Sequence, residues 1–132
     1  MQMEISFPGG KKINSTYKGF TVETDQSKEE GGQGSAPEPF DLFLASIGTC
    51  SGIYVASFCQ QREIDTNGLG MTLEFDKNEK INLLEEIRIQ ILLPKGFPEK
   101  YKSAVVRAAE LCTVKRTINT PPRFEITADI QD

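Results

Sequence analysis

The chain has 132 residues, 38% hydrophobic and 26% charged, the composition of a soluble globular domain with a core rather than of a disordered segment. A net charge of −4 and a sequence pI near 5.0 provide no basic field for nucleic acid or anionic lipid. The odd count of three cysteines and the start "MQMEISFPGGKK", which lacks a signal-peptide pattern, argue against a secreted disulfide framework, so the expected address is the cytoplasm.

In chain order, residues 2–24 read as a small antiparallel sheet. "MEISF" alternates, Pro8 to Gly10 make a turn, "KKINSTY" resumes, and Lys18-Gly19 turns into "FTVET". "DQSKEEGGQGSAPEP" (25–39) is charged, then Gly-rich, then Pro-punctuated, and is expected to be a mobile surface loop; its glycines form no phosphate motif.

A helix is predicted from Pro39 to about Arg62. The 18 positions from Leu42 to Cys59 carry no charge, which meets the lower limit for a membrane span. Six of those 18 are Gly, Ser or Thr, and the strands on either side need this segment as a packing partner, so the expected role is a central core helix. Phe40, Phe43, Leu44, Ile47, Ile53, Tyr54, Val55 and Phe58 fall on nearly every side, the pattern of a helix buried all round. Gly48 and Gly52, four apart, permit close approach of another backbone.

After a turn at "DTNG" (65–68) come two strands, "LGMTLEFD" and "NLLEEIRIQILLP", the second with Ile87, Ile89 and Ile91 on one face. Pro98 suits the first turn of an amphipathic helix, "PEKYKSAVVRAAELC". "TVKRTINTPP" reads as a loop and "RFEITADI" as a last strand. Three strands, helix, two strands, helix and strand define a single α+β domain over 1–132, with an antiparallel or mixed sheet around a long buried helix. A helix apolar on all sides needs more cover than 132 residues supply, and a homodimer provides it.

Chemistry in this chain rests on its cysteines. There is no histidine and no C-x-x-C pair, which disfavours zinc or an iron–sulfur cluster, and no cofactor is expected. Cys50 and Cys59, nine residues apart on one helix, are separated by about 13 Å along its axis. A disulfide needs Cα atoms within about 7 Å, so those two cannot bond while the helix stands. Cys112 lies on a different element and is free to approach Cys50. Cys59, beside Val55 and Phe58, reads as a core residue.

"APEPFDLFLASIGTCSGIYV", followed about 60 residues later by "AAELCTVKRTI", resembles the OsmC/Ohr family of osmotically induced and organic hydroperoxide resistance proteins. The resemblance covers essentially the whole chain in the same element order. It implies the family's OsmC-like fold, an intertwined homodimer with active sites at the subunit interface. It implies a thiol-dependent peroxidase of antioxidant stress response. Cys50 would attack an organic hydroperoxide, and Cys112 would resolve its sulfenic acid as a disulfide. A lipoylated or thioredoxin-like dithiol protein would then reopen that disulfide. The family's peroxidases place an arginine from the N-terminal sheet beside the cysteine, held by a glutamate ten residues before it. This chain has no arginine before Arg62 and carries Phe40 at that position. Asp41, Lys18, Lys115 and Arg116 are therefore the candidates for orienting or tuning the thiols. The alternative is a non-catalytic binding module or redox sensor holding an apolar ligand at the dimer interface.

Overall fold

The computed structural model describes residues 1–132 and is mixed α+β. Its strands and helices follow the order β1 (Glu4–Gly9), β2 (Lys12–Tyr17), β3 (Phe20–Thr24), α1 (Pro39–Gln61), β4 (Gly70–Asn78), β5 (Leu83–Leu92), α2 (Lys102–Glu110) and α3 (Thr113–Asn119). A short 3-10 turn, Glu99–Tyr101, leads into α2. The chain divides into two compact units, Met1–Ser46 and Ile47–Asp132.

The first unit is the antiparallel sheet β1-β2-β3 and the loop that follows it. Its turns fall at the glycines, and Lys18 occupies the β2–β3 turn with a left-handed φ of 52°. The loop at 25–38 is more ordered than its composition suggests. Asp25, 1% exposed, accepts hydrogen bonds from the N–H groups of Gln26, Gln33 and Ser35 and from the Ser35 hydroxyl. Those bonds, led by the Ser35 hydroxyl, hold its carboxyl down at a pKa of about 2. Gly32 is required there, because a Cβ would lie 2.1 Å from the Gln26 carbonyl oxygen. A buried carboxylate with several donors has closed what reads in the sequence as a mobile loop.

The second unit carries the hydrophobic core. Val55, Phe58 and Cys59 of α1 meet Val105 and Ala109 of α2, and Met71, Ile91 and Tyr101 pack against them. β4 and β5 pair antiparallel, with the inward stripe Ile87, Ile89, Ile91 on β5. On their exposed face Arg88 bridges Glu74, Asp76 and Glu86. At the end of α1 the Arg62 guanidinium lies 3.7 Å from the centre of the Phe58 ring.

Three further expectations are corrected. α1, although long and apolar enough to cross a membrane, is not buried all round: Ile47, Ser51, Val55, Phe58 and Cys59 are buried, while Phe40, Phe43 and Ile53 remain exposed. The segment after Cys112 is helix α3 rather than a loop, because the Cys112 sulfur accepts the Lys115 N–H and so supplies a cap that its residue type does not advertise. Residues 121–132 form no strand; Phe124, Ile126 and Ile130 are exposed. The alternation is there, but no strand of the same chain lies alongside to complete a ladder.

Candidate functional site

The site is built where α1, the end of α2 and the start of α3 meet. On α1 the buried stripe Ile47, Ser51, Val55 puts a serine hydroxyl where only apolar groups are expected. Ser51 is fully buried, and a buried hydroxyl needs a partner. Its Oγ donates to the Ala109 carbonyl of α2 at 3.4 Å. Beside it, Tyr54 Oη lies 3.1 Å from Thr113 Oγ1, a second link from α1 to the first residue of α3.

Cys50, next to Ser51, is half-buried, and it acts on the Cys112 thiol, lowering its pKa. The fold thus brings together, within one chain, the two cysteines that 61 intervening residues separate. Cys112 is wholly buried and free of any disulfide. Its burial pushes the thiol pKa up. Hydrogen bonds from the Ser51 hydroxyl, the Lys115 N–H (3.3 Å to Sγ) and the Cys50 thiol, together with the charge of Lys115, outweigh burial and hold it below the ordinary thiol value. Cys59, by contrast, is packed in the core, and burial pushes its thiol up despite the charge of Arg62. An elevated thiol among core side chains is inert.

The other candidates have settled places. Lys115 acts on Cys112 through both its N–H and its charge. Arg116 is fastened elsewhere: its Nε donates to the Leu111 carbonyl at 2.9 Å and a terminal nitrogen to Thr113 Oγ1 at 3.4 Å. Asp41 accepts the Glu38 N–H at 3.1 Å and thereby caps the start of α1. Lys18 lies in the first unit with its ammonium 5.3 Å from the centre of the Tyr17 ring. Ser51 was not among the sequence candidates. Its only signal is position: a hydroxyl four residues from Ile47 and Val55 on a helix whose buried stripe they define.

A cavity of about 550 Å³ opens along the same seam, walled by Ile47, Ile87, Ile89, Val106 and Ile118, with Ser51 and Lys115 in its lining. Its walls are mostly apolar, and its lining includes Lys115, whose N–H meets the Cys112 sulfur. No group of three cysteine or acidic side chains is arranged to hold a metal ion.

The chain belongs to the OsmC-like protein family, whose model matches residues 32–127. No curated protein matches it. Among solved structures it is similar to a candidate osmotic stress induced and detoxification response protein of Psychrobacter arcticus 273-4. That match has a TM-score of 0.75 at 18% identity and covers 89% of this chain and 87% of the other. An OsmC-like protein of Mycoplasma pneumoniae gives a TM-score of 0.72 at 13% identity, covering 91% and 87%. An organic hydroperoxide resistance protein OsmC of Legionella pneumophila gives 0.59 at 18% identity, covering 89% and 87%. These likenesses establish the OsmC-like fold.

Proposed function

We propose that this protein is a thiol-dependent peroxidase that reduces organic hydroperoxides. Membership of a family that includes organic hydroperoxide resistance proteins supports a peroxide-related redox role. The observation that supports the finer reading is that Cys50 of α1 acts, within one chain, on the thiol of Cys112, the residue that caps α3. The Cys50 thiolate attacks the distal peroxide oxygen, the O–O bond breaks, and the alkoxide leaves and takes up a proton as the alcohol. Cys50 is then a sulfenic acid. The Cys112 thiolate attacks its sulfur, the S–OH bond breaks, hydroxide leaves, and a disulfide has formed. A dithiol reductant, lipoylated or thioredoxin-like, returns both thiols. Nearby Cys112 keeps Cys50 from climbing to the sulfinic level.

The working form in this reading is a homodimer in the cytoplasm. What supports the dimer is exposed apolar surface that a single chain leaves uncovered, notably Phe7, Phe20, Ile53, Phe124 and Ile126. A second reading, a binding module or redox sensor, draws on the largely apolar cavity beside Ser51. Turnover separates the two. With cumene hydroperoxide and excess dihydrolipoamide, the peroxidase consumes peroxide catalytically and the Cys50→Ser variant does not. A binding module consumes it no faster than the buffer.

A further inference from the structure

We propose that the cavity between α1, β5 and the α2–α3 junction is a binding site for an apolar molecule with a cationic head, an alkylamine in chemical class. The proposal rests on the cavity of the second reading and not on peroxide chemistry.

The cavity lies wholly in the second unit, since its lining runs from Ile47 to Asn119. Its volume of about 550 Å³ is that of a small-molecule site, for which about 300–1,000 Å³ is usual. Its depth is apolar: Ile47 and Ala109 are buried there, and Ile87, Ile89 and Ile91 of β5 line it too. Ser51 is the one polar side chain among the buried lining residues. Its hydrogen is committed to the Ala109 carbonyl, so its oxygen has only lone pairs left to offer.

Charge is confined to the rim, and it is unbalanced. Glu85, Glu86 and Glu110 stand there against Lys115 alone. Glu86 shares Arg88 with Glu74 and Asp76, whereas Glu85 and Glu110 form no salt bridge. Both of these acids occupy places that local structure does not favour. Glu110 is the last residue of α2, where the helix macrodipole opposes negative charge. Glu85 is the extra residue of a β-bulge, because Leu84 pairs with Lys77 and Glu86 with Asp76. A regular strand sends successive side chains to opposite faces, yet Leu84, Glu85, Glu86 and Ile87 all line this cavity. The bulge re-aims the strand there, as bulges do beside binding sites.

The chemistry of the ligand follows. An alkyl body lies against the isoleucines, and an ammonium at the rim offsets the carboxylates of Glu85 and Glu110. A carboxylate head meets three like charges at the rim and an oxygen with no free hydrogen at the floor.

Calorimetric titration with decylammonium, decanoate and 1-decanol tests this, because the three differ in the head alone. At pH 7 and low salt decylammonium is expected to bind one per chain and on the order of tenfold tighter than decanoate, the gap narrowing at high salt. The double variant Glu85→Gln, Glu110→Gln removes two exposed charges and is expected to bind decylammonium no tighter than decanol. Val106→Trp, with an indole at the half-exposed wall, is expected to fill the cavity and lose all three ligands; circular dichroism checks that both variants fold. Absence of decylammonium binding, decanoate binding as tightly, or a preference unchanged in the double variant overturns the proposal. A protein that turns over cumene hydroperoxide and binds no decylammonium loses this site and keeps the peroxidase reading. One that binds it and is inert to peroxide loses that reading and keeps this site.

Discussion

At the scale of single residues, polar groups inside the protein are located by the partners they need. Asp25 and Ser51 are both buried, and each is surrounded by groups that complete its hydrogen bonding. The Asp25 carboxyl titrates at about 2, below the ordinary carboxylate value of about 3.9 expected in the unfolded chain. Its contribution to stability is thus fully present above about pH 4 and is lost as the pH falls through about 2. In Asp25→Asn an amide replaces the carboxylate that receives the N–H groups of Gln33 and Ser35. Thermal unfolding at several pH values is expected to show the variant less stable near pH 6, with the gap closing between about pH 4 and pH 2. A gap independent of pH would contradict the account. The sequence displays neither residue's role, because Asp25 stands in a charged loop and Ser51 in a small-residue helix where serines are common. Cys112 is similar: its lowered thiol depends on Ser51, Lys115 and Cys50, which only the packing of α1 against the start of α3 brings together.

At the scale of elements, most of the fold is legible because it rests on local patterns. Alternation marks β1 to β5, and the uncharged run from Leu42 to Cys59 marks α1. Two of the failures share a cause, a partner outside the segment being read. α3 starts at a cap made by a sulfur atom, and the alternating stretch after Arg123 has no strand beside it. The helix glycines illustrate how far spacing reaches. Gly48 and Gly52 do face close neighbours, but not equally: a Cβ at Gly48 would lie 3.2 Å from the Leu73 Cδ1, whereas at Gly52 it would make an ordinary 3.8 Å contact with the Met71 sulfur. Replacing a mid-helix glycine by alanine stabilises by up to about 1 kcal/mol where there is room. Urea unfolding is therefore expected to rank Gly52→Ala above wild type and Gly48→Ala below Gly52→Ala, since Leu73 must shift. Equal gains at both positions would show that the α1–β4 contact is looser than described.

At the scale of the whole molecule, the core of the second unit is small and the apolar surface left outside it is large. Phe7 at 77%, Phe124 at 80% and Ile126 at 92% exposure lie on segments with strand character, where a second copy has both area and unpaired backbone to engage. Sedimentation equilibrium is expected to give twice the 14.7 kDa chain mass, and removal of residues 121–132 to weaken that association. A monomer at all concentrations would remove the dimer from the account. In the proposed reaction two thiols meet, one on α1 and one at the cap of α3. Its most direct test is intact mass and peptide mapping after one equivalent of cumene hydroperoxide, beside hydrogen peroxide and a Cys112→Ser variant. A rapid Cys50–Cys112 disulfide is expected, formed faster with the organic peroxide, with a trapped Cys50 sulfenic acid in the variant. Thiols that stay unmodified after minutes would contradict it.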